Sequence, residues 1–263
     1  MPKVRVNDID LYYEAGGQGE PLLFIHGLGS SCRDWREQLL FFSTSYHVVV
    51  YDVRGHGRSD KPAGPYSVPQ FASDAAGLLR LLEIESAHII GISMGGMIAF
   101  ELAASYPQMV RSMVIVNTGP EMVPRTFQER MMILNRKLMV RLLNMRQIGE
   151  VLSRRIFPNP EHESLRWQFV ERWAENDPRA YRRAMNGLIG WSVADKLGDI
   201  ECPTLVVAAD QDYTPVEVKR EYVAKMPRAE LVVIQDSHHA TPVEHPEQFN
   251  AVVAAFLSLH RAR

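Results

Sequence analysis

His88-Ile89-Ile90-Gly91-Ile92-Ser93-Met94-Gly95-Gly96-Met97-Ile98-Ala99-Phe100-Glu101-Leu102-Ala103-Ala104 is the stretch that decides the fold. An apolar run is interrupted by a G-x-S-x-G pentapeptide and then resumes with a helix-forming composition. The pattern predicts a strand, a sharp turn and a helix, with Ser93 at the apex. Side chains flanking such a turn would clash, and Gly91 and Gly95 remove the conflict. The serine hydroxyl is then exposed at the carboxyl edge of a sheet, with a helix N-terminus behind it to favour developing negative charge. A serine so placed points to a nucleophile and to acyl transfer.

The neighbouring segments extend the same architecture. Pro21–Ile25 and His47–Asp52 are apolar strands, and each runs into a Gly-rich loop, His26–Ser30 and Arg54–Ser59. Helical character fills Trp35–Phe42, and residues 69–83 carry Phe71, Ala75, Leu78, Leu79 and Leu82 at spacings of three and four. Further strands are Met113–Asn117, Thr204–Ala208 and Leu231–Ile234, while Met1–Asp8 alternates like an edge strand. Continuous apolar strands alternating with helices predict an α/β fold, a mostly parallel sheet covered on both faces. Ligands then bind where the strand carboxyl ends and their loops gather. Residues 120–199 break the rhythm with helices alone and read as a lid between two core parts, 1–119 and 200–263. Asp177-Pro178 predicts an N-cap followed by proline in the first turn.

Composition narrows the function classes. The 263 residues carry 29 basic and 31 acidic side chains, a net charge of −2, with no basic run suited to nucleic acid. No apolar stretch approaches the ~20 residues of a membrane helix, and the N-terminus lacks a signal-peptide core. Cys32 and Cys202 form no CxxC pair. The expectation is a cytoplasmic protein with no stable membrane insertion, while homodimerisation stays open. No metal-ligand spacing, phosphate loop or dinucleotide fingerprint is present, so neither a metal nor another cofactor is expected.

A serine at its own pKa is a poor nucleophile and needs a base and an orienting acid. Asp210 and Asp212 follow strand 204–208, and His238 and His239 follow strand 231–234. Both loops therefore face the edge that carries Ser93, in the order Ser, Asp, His.

The chain resembles the α/β-hydrolase superfamily over essentially its whole length. The resemblance rests on His26-Gly27-Leu28-Gly29, Asp52–Asp60, Gly91–Gly96, Pro203–Val207 and Asp236–Pro246. Within it, the chain looks like the lid-bearing esterases and the 3-oxoadipate enol-lactonase-like group. The family pattern implies Asp212 as the acid, three residues past Ala209, with Asp210 as the alternative. Counting back from Glu244 and Pro246 implies His239 as the base, with His238 as the alternative in the usual glycine position. It further implies an oxyanion hole from the backbone N–H groups of Leu28 and Met94. His26 and His56 read as loop braces, and Asp52, Arg54 and Asp60 as an ion-pair and capping set. His88 reads as a core or edge histidine.

Phe127, Met131, Leu134, Leu138, Leu142 and Met145 recur at helical spacing. They read as a stripe docked on the core, as an adaptable acyl pocket, or as a basic amphipathic surface against lipid. Met131, Leu134 and Trp191 are the substrate-pocket candidates, and Trp167 and Trp173, like Trp191, read either as pocket lining or as packing of the lid. The expected function is a serine-dependent carboxylesterase taking small to medium apolar esters, with a small-molecule ester or lactone as its partner. An enol-lactonase would need cationic groups in the pocket, for which Arg125, Arg130 and Arg136 are available. A carbon–carbon bond hydrolase and a slow-turnover ligand sensor are the other readings.

Overall fold

The computed structural model describes residues 3–261. Met1 and Pro2, which belong to the edge-strand reading, lie outside the described residues. Eight strands form one sheet in the order β1-β2-β4-β3-β5-β6-β7-β8. β1 (Lys3–Val6) and β2 (Ile9–Gly16) pair antiparallel, and β2 also runs antiparallel to β4 (Tyr46–Tyr51). All other pairings, through β3 (Glu20–Ile25), β5 (Ala87–Ile92), β6 (Val110–Val116), β7 (Thr204–Ala209) and β8 (Ala229–Ile234), are parallel. Sequence patterning did not separate β2 from the edge strand before it. Its Asp10, Tyr12 and Glu14 are polar or amphipathic, and its place is decided by pairing on both sides.

Side chains of the central strands alternate between two cores, as a pleated strand requires. Leu23 and Ile25 of β3 face α2 (Val68–Leu81) and α3 (Met94–Ser105), with Phe71, Leu78 and Ile98 in the same cluster. Leu22 and Phe24 face the opposite layer of α1 (Arg36–Phe42) and α10 (Pro246–Ser258), with Trp35, Phe42, Phe249 and Val253. A sheet apolar on both faces is thus covered on both faces.

Between β6 and β7 the chain forms α4 (Phe127–Leu142), α5 (Met145–Ile156), α6 (Glu163–Ala174) and α7 (Pro178–Leu188). Asp177 caps α7, accepting from the N–H groups of Arg179 and Ala180 with Pro178 behind it. Val140, Met145, Ile148, Trp173, Tyr181 and Met185 give this segment its own small core, and Ala184 and Leu188 join it to the main one. The stripe expected to dock on the core does the opposite. Phe127 is 79% exposed and Leu138 51%, and Met131, Leu134 and Leu142 are exposed as well. The regular spacing ends at Leu142 because Asn144 caps a new helix, and Met145 is buried as the first residue of that helix. No helix among the described residues is long and apolar enough to cross a membrane.

The expected ion-pair set also has different partners. Buried Arg54 bonds Asp74 on α2 and Asp8, whereas Asp52 and Asp60 accept backbone N–H groups, from Cys32 and Arg58 and from Asp10. Burial is the leading reason that His56 and His88 titrate well below 6.5, at about 3 and about 4. The unfolded chain protonates both below pH 6.5, while the folded chain takes up these protons only near those lower values. Stability is therefore full above pH 6.5 and falls toward pH 4, by on the order of 1 kcal/mol per pH unit for each histidine. Urea-unfolding midpoints should drop across that window, and His88→Gln should flatten the drop.

Candidate active site

Ser93 joins β5 directly to α3 and takes a left-handed φ of 54°, a conformation that strains any residue with a Cβ. Close packing holds it there. A Cβ on Gly95 would lie 2.0 Å from the Ile25 carbonyl oxygen, and one on Gly91 2.2 Å from that of Gly95. The Ser93 N–H donates to the Val116 carbonyl at 3.0 Å, fixing the turn to β6. Met94 opens α3, so its N–H is among those a helix leaves without an internal acceptor. The His26–Leu28 loop packs against the turn, since a Cβ on Gly27 would sit 3.5 Å from Ser93 Cβ. His26 braces that loop. Its Nε2 accepts the Val53 N–H at 2.9 Å, which leaves Nδ1–H to donate to the Gly27 carbonyl at 2.8 Å.

His239 Nδ1 lies 2.8 Å from Asp212 Oδ1, and the Asp212 side chain is wholly buried. Burial alone would raise the Asp212 pKa. The hydrogen bond and charge of His239, followed by the Lys219 ammonium, outweigh that effect and hold it below its ordinary value. Lys219 Nζ, also wholly buried, donates to Asp212 Oδ2 at 2.8 Å and to the Thr214 carbonyl at 2.6 Å. The two alternatives have other partners. Asp210 accepts the Ser237 N–H at 3.0 Å, and His238 Nδ1 lies 2.7 Å from Glu244 Oε1. Sequence spacing did not single out Lys219, because it lies a full turn into α8 (Val216–Val223).

Asn117 ties the two loops together. It is 1% exposed, has a left-handed φ of 48°, and stands just past β6. Its Oδ1 accepts the Ala209 N–H at 2.8 Å, and its Nδ2 faces the carbonyls of His238 and His239 and the Thr241 hydroxyl at 2.9 to 3.2 Å. One amide thus joins the ends of β6 and β7 to the histidine loop.

Ser93 and His239 line one cavity of about 760 Å³ with its open mouth included. Its apolar walls include Trp35, Ile92, Ile156, Phe157, Phe169 and Trp173. Arg172 and Asp34 also reach it and pair with each other. The pocket candidates Met131, Leu134 and Trp191 do not line it. Met131 and Leu134 lie on the solvent face of α4, and Trp191 packs in the main core with its indole N–H donating to Glu101 at 2.7 Å. Of the aromatic residues that do line it, Phe169 and Trp173 come from α6, whose turn toward the sheet is a matter of helix packing. Arg125 pairs with Glu121 at the surface, Arg130 is exposed, and Arg136 donates to the Tyr181 hydroxyl. Tyr213, beside Asp212, was not distinguished by the sequence. Its hydroxyl lies 2.7 Å from His239 Nε2.

Asn117→Ala would strand the Ala209 N–H and the His239 carbonyl and put a Cβ residue without a side-chain partner in a left-handed site. The expected loss is about 3 kcal/mol or more, read as a lower urea midpoint than that of the unsubstituted protein.

Relatives and solved structures align with nearly the whole chain. It is 28% identical over 261 residues to a 3-oxoadipate enol-lactonase of Acinetobacter baylyi, covering 97% of this chain and 95% of the relative. It is 30% identical over 269 residues to a protein of Azorhizobium caulinodans named as a carbamate hydrolase, covering 97% and 98%. A thermophilic esterase from Thermogutta terrifontis, solved with malate bound, superposes with a TM-score of 0.90 at 25% identity, over 99% of this chain and all of that one. The model of the alpha/beta hydrolase family matches residues 22–252. With the strand order, the serine turn and the loops that converge on it, this makes the chain a member of the alpha/beta hydrolase family and a hydrolase.

Proposed function

We propose that this hydrolase cleaves small to medium, mainly apolar carboxylic esters through an acyl-enzyme on Ser93. The observation that carries the reading is one mainly apolar cavity lined by both Ser93 and His239, while Asp212 backs the imidazole. With Asp212 ionised, Nδ1 keeps its proton and Nε2 is the acceptor. His239 takes the Ser93 proton as the hydroxyl oxygen attacks the ester carbonyl, then returns it to the departing alcohol. The carbonyl oxygen gains negative charge and accepts hydrogen bonds from the backbone N–H groups of Met94, at the start of α3, and of Leu28. Water repeats the sequence on the acyl-enzyme and releases the acid. Residues 120–199 serve as the lid, because Ile156, Phe157, Leu165, Phe169 and Trp173 roof the cavity.

The polarity of the cavity supports neutral substrates. Arg172 is the cationic group on its wall, and Asp34 neutralises it. A lactone bearing carboxylates, of the kind named for the Acinetobacter relative, would have to take Arg172 from Asp34 or leave its own charge unpaired at a cost.

The test is steady-state hydrolysis of p-nitrophenyl esters from acetate to decanoate. Turnover should peak at one chain length and fall by at least about a thousandfold in Ser93→Ala. Activity that survives the substitution, or a preference for carboxylate-bearing lactones over neutral esters, would overturn the proposal.

A further inference from the structure

The Tyr213 ring stacks on the His239 imidazole, with centroids 4.2 Å apart and planes 30° from parallel. Its hydroxyl lies 2.7 Å from Nε2. Nδ1–H is engaged by Asp212, so the phenol is the donor and fills the single lone pair of Nε2. Ser93 lines the same cavity as His239. The phenol oxygen therefore stands at Nε2, the atom that the Ser93 hydroxyl must reach in the reading above.

In acyl transfer one substrate atom needs both of these neighbours. It is the alcohol oxygen of the ester, bonded to the carbon that Ser93 attacks and protonated from Nε2. Attack also requires Ser93 to reach Nε2 itself. With Tyr213 in place neither condition is met. We infer that Tyr213 occupies the leaving-group subsite of the free enzyme and acts as a gate, swinging outward to admit the alcohol portion of the substrate. The inference rests on the Ser93–His239 reading above.

The surroundings suit such a motion. Tyr213 lies on the loop between β7 and α8, and its side chain is 48% exposed although its hydroxyl points inward. An outward rotation moves the ring toward solvent and leaves both cores intact. The Arg155 guanidinium from α5 stands 4.9 Å from the ring centroid, so the helical segment that roofs the cavity also contacts the gate. Closed and open forms then differ by one hydrogen bond, one stacking contact and one cation–π contact. The apparent reactivity of Ser93 is reduced by the fraction of molecules that are open. As the residue that must clear the alcohol side, Tyr213 sets how large a leaving group is accepted.

Tyr213→Phe deletes the hydroxyl and keeps the ring, and Tyr213→Ala deletes both. Labelling of Ser93 by a fluorophosphonate, followed by intact mass, should be about fivefold faster in Tyr213→Phe, the effect of losing one typical hydrogen bond from the closed form, and faster still in Tyr213→Ala, which also loses the stacked ring. In parallel, kcat/KM for naphthyl butyrate relative to methyl butyrate should rise about tenfold in Tyr213→Ala, because the bulky alcohol no longer meets the ring whereas the change in open fraction cancels between the two esters. Slower labelling in Tyr213→Phe would mean that the phenol assists proton transfer and would overturn the gate. Unchanged labelling together with an unchanged ester ratio would overturn it as well. If Ser93 is labelled in neither wild type nor variants, the nucleophile assignment fails instead, and the gate falls with it.

Discussion

The Asn117 side chain is the constraint on which the candidate site depends. β7 and β8 each end in a loop, one carrying Asp212 and the other His239, and loops so exposed would sample many relative positions. Asn117 answers both at once, accepting from Ala209 and donating to the backbone and hydroxyl groups at 238–241. Because it is buried, each of those bonds replaces an unpaired polar group rather than a hydrated one, so breaking them is expensive. The left-handed turn it occupies is tolerated by asparagine better than by most residues with a Cβ.

Ser93 is held by a different force. Steric exclusion does the work there, since Gly91, Gly95 and Gly27 leave room for the β5–α3 turn to press against β3 and its loop. The strained φ at Ser93 persists because backbone on both sides over-determines it. Electrostatics complete the arrangement. Asp212 shares its two oxygens between His239 and the buried Lys219, so its negative charge is retained at depth. A buried carboxylate with two cationic or donor partners keeps its orientation, and it fixes the tautomer of the imidazole beside it.

In the proposed reaction, chemistry and selectivity come from different parts of the chain. The sheet edge presents Ser93, His239 and the backbone donors. The roof of the cavity belongs to α5 and α6, whose own core of Ile148, Trp173 and Tyr181 sets their angle over the sheet. Arg172 and Asp34 pair with one another on the cavity wall, and the rest of that wall is mainly apolar.

By itself the sequence determined the alternation of strand and helix, the serine turn, the all-helical segment at 120–199 and the loops that carry Asp212 and His239. These are local matters: apolar runs, glycine at a turn that excludes side chains, Asp177-Pro178 at a helix start. Spacing from family landmarks picked out Asp212 and His239, yet it could not register Asn117, Lys219 or Tyr213. Their partners are distant in the chain, as with the 92 residues between Asn117 and Ala209, or depend on a rotamer, as with the Tyr213 ring over His239. The cavity lining was misassigned to Met131, Leu134 and Trp191 for the same reason. Helical spacing says which residues share a face, and packing against the rest of the molecule decides which way that face looks. Only the tertiary structure turned the α4 stripe to solvent and brought Phe169 and Trp173 of α6 over Ser93.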